Sequence, residues 1–251
     1  MTRSSSDRPA RTRRRLVRLA IVAVVLLVTG VFTLDGLARS TEGTLSSFLA
    51  GVTAPEASPG SALAAVDDLA VKGRAPKTGY DRDEFGPAWA DVDRNGCDTR
   101  NDILARDLTE VTYEEGTHEC IVLTGDLADP FTGEAIAFQR GQKTSTAVQI
   151  DHVVALSDAW QKGAQALGED ERRELANDPL NLLAVDGPSN GAKGDGDTAS
   201  WLPPNTSYRC EYVARQVAVK LRYELWVTTA EQAAMTDVLS TCPDETLPTA
   251  G

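Results

Sequence analysis

The sequence predicts an α+β domain stabilised by disulfide bonds. Short runs rich in β-branched residues, such as V-Q-I-D-H-V-V-A-L at 148–156, alternate with helix-forming segments, and two longer helical segments follow near the C-terminus. Four cysteines lie behind an apolar N-terminal segment, an arrangement that indicates two disulfides in an exported chain. The length of 251 residues is sufficient for one or two small domains with cores of their own.

The first 39 residues predict export. Residues 1–18 are rich in arginine, and residues 19–34 form an uncharged apolar run. This pattern is typical of a signal peptide, whereas a membrane span needs about 20 apolar residues. No clear small-residue cleavage site follows, so retention of 19–34 as a membrane anchor stays open. In both cases we expect an extracellular protein, either secreted or anchored to the membrane and facing outward.

Composition divides the rest of the chain into three parts. Residues 40–60 are rich in Ser, Thr, Gly, Ala and Pro, which favours a linker. We therefore predict a linker over 40–78, a compact domain over 79–242 and a short tail over 243–251.

Local signals predict the elements of the domain in order. Asp98 is placed to cap a helix over 99–108. The D-P-F-T-G turn joins strands at 119–124 and 134–139 into a hairpin. Further strands are predicted at 148–156 and 180–185. Further helices are predicted at 157–167, at 169–176, after the turn at 187–189, at 205–226 and at 229–241.

The four cysteines allow three disulfide pairings. We favour the two pairs that are closest in sequence, Cys97–Cys120 and Cys210–Cys242. No Cys-x-x-Cys pair is present, which argues against a zinc ribbon or a thioredoxin-like redox site.

The charge balance excludes a broad nucleic-acid-binding face. The chain has 25 basic and 37 acidic residues, a net charge of -12. Residues 1–39 hold eight arginines and two acidic residues, so residues 40–251 carry 17 basic and 35 acidic residues, a net charge of -18. Proteins that bind nucleic acid by general phosphate neutralisation are usually basic. Any nucleic acid is therefore expected to bind at a small local site.

One pair of adjacent residues indicates metal-assisted hydrolysis. Asp151 and His152 are adjacent at the end of a predicted strand. A carboxylate can hold a divalent cation while a neighbouring imidazole activates a water molecule. Because adjacent side chains on a strand point to opposite faces, both can serve one site only where the strand ends or bends.

Three stretches of sequence that include or follow this pair resemble a known family. D-H-V-V-A-L-S-D-A-W at 151–160, N-L-L-A-V at 181–185 and S-N-G-A-K-G-D at 189–195 together resemble the HNH, or ββα-metal, endonucleases. The resemblance is closest to the group that also forms the C-terminal domain of modification-dependent restriction enzymes. Y-D-R-D-E-F-G at 80–86 and N-G-C-D-T-R-N-D at 95–102 are similar to exported actinobacterial members. The resemblance covers roughly 80–242 and implies a ββα-metal core with a β-hairpin and surrounding helices.

The resemblance also implies roles for individual residues. Asp151 matches the first metal ligand, and His152 matches the general base. Asn181 matches the asparagine that braces the loop and orients the histidine, and Asn190 matches the second metal ligand. For Lys193, one helical turn further along, a phosphate contact is expected. Because both proposed ligands offer oxygen atoms, Mg²⁺ or Mn²⁺ is favoured over zinc. Asparagines are also common in turns and helix caps, and lysines are commonly solvent-exposed.

Residues 91–102 allow more than one interpretation. Asp91, Asp93, Asn95 and Asp102 are spaced as in a calcium-binding loop, although Gly86 and Pro87 disfavour the helix that would precede one. The alternative is an acidic turn that is held in place by Cys97. Arg100 is a candidate phosphate contact or transition-state charge partner. The alternative for Arg100 is an ordinary arginine on a helix surface.

The sequence as a whole predicts an exported, metal-dependent HNH endonuclease. We expect a monomer that hydrolyses phosphodiester bonds in DNA, or in RNA, with low sequence specificity. Two alternatives remain from other functional classes. One is a non-catalytic, calcium-stabilised extracellular binding module, and the other is a metal phosphodiesterase for smaller substrates.

Overall fold

Small sheets and helices alternate along residues 57–249, the part of the chain that the computed structural model describes. The predicted export segment, with the apolar run at 19–34, lies outside these residues. The α-helices are α1 Ala62–Ala65, α2 Thr99–Asp107, α3 Leu156–Gln161, α4 Glu169–Asn177, α5 Gly187–Lys193, α6 Arg209–Arg222 and α7 Thr229–Leu239. The strands are β1 Leu108–Tyr113, β2 Val122–Ala128, β3 Ala135–Gln139, β4 Val148–His152 and β5 Leu182–Asp186. The predicted α+β class is confirmed. Within this part of the chain, no helix is both long enough and apolar enough to cross a bilayer.

The first sheet has three antiparallel strands in the order β1-β2-β3. Strands β2 and β3 form the predicted hairpin, with Gly125 opposite Phe138. Strand β1 was not predicted. It begins directly at Leu108, where α2 ends, and pairs through Leu108 with Leu127. Apolar side chains from α2 and this sheet form one core cluster with residues of β4 and β5.

The second sheet pairs β4 with β5 in antiparallel register, and α5 follows β5 without a loop. Asp186 caps α5 by accepting a hydrogen bond from the Ser189 amide at 2.8 Å. Asp151 lies opposite Leu183 in the sheet, and His152 ends β4. A strand, a second strand and a helix thus pack together, and the Asp-His pair lies at the end of the first strand.

The packed part of the chain begins earlier than the predicted boundary at residue 79. Ala62, Leu63 and Val66 are buried in a core cluster with residues of α6 and α7. The amide of Ala62 donates to the carbonyl of Glu245 at 2.7 Å. Residues 62–69 and part of the predicted tail therefore belong to the domain, because their apolar side chains and backbone groups have partners there.

Both predicted disulfides are present. Cys97–Cys120 joins the turn before α2 to the loop before β2, and Cys210–Cys242 joins the start of α6 to the turn after α7. The second bridge links two helices that share the main core cluster.

A group of six charged residues, here named the buried ionic cluster, connects several segments. Its members are Arg74, Asp158, Lys162, Asp197, Lys220 and Glu231. Lys162 is fully buried and contacts Asp158, Asp197 and Glu231 at 2.7, 2.8 and 2.6 Å. With three cations and three carboxylates the cluster is electrically balanced. This balance makes burial tolerable, since a buried charge without a partner is strongly destabilising.

Candidate active site

Asp151 is buried at the end of β4, and its two oxygen atoms differ. Oδ1 accepts a hydrogen bond from Lys193 Nζ at 2.8 Å. Oδ2 is also buried but has no hydrogen-bond partner among the described residues. A buried carboxylate oxygen without a partner is costly unless a ligand satisfies it. Asp151 thus has one buried oxygen without a partner at the cleft that it lines, and its role as a metal ligand stays a prediction.

The imidazole of His152 is fixed by a hydrogen bond at its Nε2 atom. Nε2 lies 2.9 Å from the carbonyl oxygen of Ala176, so this nitrogen carries a proton and donates to the carbonyl. The second ring nitrogen, Nδ1, is then unprotonated and able to accept a proton. Burial lowers the pKa of His152 to about 3, against the effect of the Ala176 bond, and the charges of Arg82 and Lys193 lower it further. The ring is therefore neutral near neutral pH.

Asn181 lies immediately before β5 and is completely buried. Its Oδ1 accepts from the Val154 amide at 2.8 Å, and its Nδ2 donates to the Leu175 carbonyl at 3.1 Å. Its backbone carbonyl accepts from the Val153 amide at 2.8 Å. These bonds fix the chain directly after His152. Asn181 thus holds the segment that follows His152, and its predicted role in orienting the histidine stays a prediction.

Asn190 lies in α5 and faces the same cleft. Its amide nitrogen donates to Gln149 Oε1 at 2.9 Å. This bond directs the Nδ2 group toward β4 and leaves the amide oxygen as the atom that remains for a ligand. Asp151 and Asn190 line the same cleft from adjacent elements, and Mg²⁺ or Mn²⁺ at these two residues stays a prediction.

Lys193 differs from its predicted role. It is buried, and its ammonium group contacts Asp151 Oδ1 at 2.8 Å and the His152 carbonyl at 2.7 Å. It is therefore not free to contact a phosphate. The predicted phosphate contact is corrected, because Lys193 compensates the charge of Asp151 and fixes the end of β4.

Arg100 lies in the first turn of α2 and lines the cleft. No carboxylate lies within ion-pairing distance of its guanidinium group in residues 57–249. Partial burial and the charge of Arg140 lower its pKa, while Asp98 opposes the shift. An arginine that is partly desolvated and unpaired is suited to bind an anion.

Several cleft residues were not singled out from the sequence. Lys77, Tyr80, Arg82 and Trp89 come from the segment before α2 and line the same cleft as Asp151. Arg82 is exposed and forms no ion pair with a described residue. The stretch Y-D-R-D-E-F-G, which contains Tyr80 and Arg82, was the available signal.

The cleft has a volume of about 490 Å³. Its charged lining consists of three cations, Lys77, Arg82 and Arg100, and two carboxylates, Asp151 and Asp195. Asp151 is already paired with Lys193. The cleft is thus locally cationic in a chain with a net charge of -12.

The acidic segment at 91–102 folds as a turn around Asn95. Its backbone amide contacts Asp91 Oδ1 and Asp93 Oδ1, both at 3.1 Å, and its side-chain amide contacts Asp102 Oδ1 at 3.1 Å. These carboxylates therefore already have hydrogen-bond donors. Calcium at Asp91, Asp93, Asn95 and Asp102 stays a prediction. In residues 57–249, no cluster of three or more His, Cys, Asp or Glu side chains has metal-binding geometry.

Comparison with known proteins identifies the family to which the chain belongs. A family model described as GmrSD restriction endonucleases, C-terminal domain, matches residues 98–238. The chain is 38% identical over 190 residues to an uncharacterized secreted protein from Arthroderma benhamiae, covering 75% of this chain and 87% of that protein. No solved structure matches the chain. An actinobacterial origin of this chain stays a prediction.

Proposed function

The chain belongs to the family of GmrSD restriction endonuclease C-terminal domains, and from that premise we propose that it is an exported, metal-dependent endonuclease. Its reaction is hydrolysis of phosphodiester bonds in DNA, or in RNA, with low sequence specificity. The observation that carries this proposal is the unpartnered Oδ2 of buried Asp151, next to a neutral His152 in a cationic cleft.

His152 acts as the general base. Its Nε2–H donates to Ala176, and its Nδ1 takes the proton from the attacking water. The low pKa of His152 keeps the ring in the base form at neutral pH. Asn181 holds the chain after His152, so it acts as a positioning residue rather than as a contact to substrate.

Asp151 and Asn190 are the residues that would hold Mg²⁺ or Mn²⁺. When bound, such a cation stabilises the negative charge that develops on the phosphate and on the leaving oxygen. Lys193 keeps Asp151 Oδ1 occupied, which directs the free Oδ2 to the cation site. Arg100 lines the same cleft and would contact a phosphate oxygen, which stabilises the same developing charge.

Export is part of the proposal. Residues 1–39 have the composition of a signal peptide or an N-terminal anchor. Two disulfides suit an oxidising compartment, and the Arthroderma benhamiae relative is described as secreted. The expected location is therefore outside the cell.

A plasmid-nicking assay tests the activity. The purified protein is incubated with supercoiled DNA in Mg²⁺, in Mn²⁺ and with chelator, and with single-stranded RNA in parallel. We expect metal-dependent cleavage. Cleavage of bis(p-nitrophenyl) phosphate without cleavage of either nucleic acid would favour a phosphodiesterase for smaller substrates. Absence of all three activities would favour a non-catalytic binding module.

A further inference from the structure

One wall of the cleft is built by a segment that the family model does not include. The match begins at residue 98, whereas residues 71–89, here named the strap, run across the domain before it. Arg74 anchors the strap to Asp158 at 2.9 Å and to Asp197 at 2.7 Å. The strap is therefore tied to the buried ionic cluster through Arg74.

The strap brings a cation into the cleft. Arg82 lines the cleft together with Asp151 and has no carboxylate partner among residues 57–249. Lys77, by contrast, is already paired with Asp195 at 3.3 Å. An exposed guanidinium without a partner, lining the same cleft as the two candidate metal ligands, is suited to contact a phosphate next to the one being cleaved.

The strap also brings an aromatic ring. Trp89 is half-buried and lines the cleft, and its ring lies nearly parallel to the His152 ring, with 6.0 Å between centroids and 18° between planes. Its backbone φ is 59°, a conformation that bulky residues rarely adopt. Local strain of this kind is common where a side chain is held for binding.

The net charge of the chain bears on whether the strap side of the cleft suits duplex or single-stranded nucleic acid. Duplex DNA is bound mainly through many phosphate contacts, which require a broad basic face. Residues 40–251 carry a net charge of -18, which disfavours such a face. Stacking of a base on an aromatic ring does not depend on net charge and is tolerant of sequence. It does require a base that has left its own stack.

We propose, on the basis of the proposed function, that the strap is a binding surface for single-stranded nucleic acid. Trp89 stacks a base adjacent to the scissile bond, and Arg82 contacts the neighbouring phosphate. The preferred substrate is therefore a single strand, or a strand that is locally unpaired, rather than an intact duplex.

The test compares three substrates and four proteins. The substrates are a single-stranded oligonucleotide, the same sequence as a duplex, and bis(p-nitrophenyl) phosphate, which has no base. The proteins are the wild type, Trp89→Ala, Trp89→Phe and Trp201→Phe. Trp201 is a matched control because it packs against Phe131 and Tyr212, away from the cleft lining.

The measured quantity is kcat/KM on the single strand divided by kcat/KM on the base-free diester. We expect this ratio to fall about tenfold or more in Trp89→Ala, mainly through KM, which corresponds to about 1.4 kcal/mol. Trp89→Phe should recover part of the ratio, and Trp201→Phe should retain it. An equal loss on all three substrates would overturn the proposal, since Trp89 would then only support His152. A wild type that prefers the duplex would also overturn it.

A binding measurement separates this inference from the proposed activity. Quenching of tryptophan fluorescence by oligothymidylate is recorded in Ca²⁺ and in chelator. Quenching that is lost in Trp89→Ala but kept in Trp201→Phe supports the strap even in a protein that cleaves nothing. Absence of quenching in the wild type counts against the strap.

Arg82→Gln provides a second test should Trp89→Ala fail to fold, because Arg82 is an exposed side chain. This variant is expected to weaken the same binding about tenfold. Unchanged binding would overturn the phosphate contact.

Discussion

In the buried ionic cluster each carboxylate meets two cationic nitrogens at 2.6–2.9 Å. In the cleft, one oxygen of Asp151 has no hydrogen-bond partner, and among residues 57–249 Arg82 and Arg100 have no carboxylate partner. The two regions use the same side-chain chemistry. They differ in ion pairing, because every charged group of the cluster has a partner of opposite charge within 3 Å, whereas Arg82 and Arg100 have none among residues 57–249.

This difference predicts different consequences of mutation. Groups that are fully paired and buried contribute to the free energy of unfolding, because removal of one partner leaves another charge buried and unpaired. Arginines left unpaired at the cleft are available to a ligand, and their removal is expected to leave the fold largely intact. Activity should therefore depend on the cleft, and stability on the cluster.

The largest effect is expected at His152. His152→Ala removes the proposed general base and should lower kcat by about 10²–10⁴-fold. His118→Ala is the control, since His118 is the only other histidine and is exposed in a loop. Nicking rates and circular dichroism are measured for both. Near-normal activity in His152→Ala would remove His152 from the mechanism.

The cluster should show the opposite behaviour. Asp158→Asn removes a charge that compensates Lys162 and Arg74, and we expect a loss of about 3–5 kcal/mol in the free energy of unfolding. Urea denaturation measures this loss. Activity per folded molecule should change little. A variant as stable as the wild type would mean that the cluster is not a source of stability.

Asp151→Asn is the matched substitution in the cleft. Its Oδ1 can still accept from Lys193, and only the unpartnered oxygen is replaced. Because Lys193 then loses its only carboxylate partner among the described residues, we expect a loss of stability as well as at least a tenfold higher Mg²⁺ requirement. Activity titrated against Mg²⁺ checks this. An unchanged metal requirement would exclude Asp151 as a ligand.

The contrast between the two regions also shows what the sequence alone could predict. The Asp-His pair, both disulfides and the hairpin follow from local patterns, because each depends on residues close together or on strong turn and cysteine signals. The six charges of the cluster come from segments between residues 74 and 231, and apart from Asp158 and Lys162, which are four residues apart, no local pattern pairs them. Strand β1 was missed because it follows α2 without a Gly or Pro between them.

Lys193 illustrates the same limit. Lysine is almost never fully buried unless it is paired, so a surface position was the reasonable expectation. Its partner Asp151 is 42 residues away, and only the pairing of β4, β5 and α5 brings them together. The motif predicted which residues gather at the site, but not which of them would contact each other.

Acid should destabilise the protein through the cluster. Burial tends to raise the pKa of Asp197, but the hydrogen bond and charge of Lys162, with Ser200 and Arg74, lower it to about 2 from the ordinary 3.8. Since the folded value is the lower one, Asp197 contributes stability above pH 3.8 that is lost as the pH falls toward 2.

The expected contribution of Asp197 is about 1–2 kcal/mol. Urea denaturation at pH 7, 4 and 3 measures it, and Asp197→Asn should flatten the pH dependence. Asp237→Asn, on the exposed side of α7, is the control. The same pH dependence in Asp197→Asn and in the wild type would show that another group is responsible.

The smallest effect concerns the number of phosphate contacts. The cleft offers Arg100, Arg82 and, once released from Asp195, Lys77. Each contact to a single strand contributes about -0.7 to the slope of log affinity against log salt, so three contacts give about -2.

Binding of a single strand to His152→Ala is titrated with salt in Ca²⁺ and then with chelator, and Arg82→Gln should reduce the slope by about one contact. We expect higher affinity in Ca²⁺, because a cation held by Asp151 would attract a phosphate in an otherwise acidic protein. A slope steeper than about -4, unchanged by chelator, would require six or more contacts and a basic surface outside the cleft. Cations beyond the cleft would then carry the binding, and the separation between a structural cluster and a binding cleft would no longer hold.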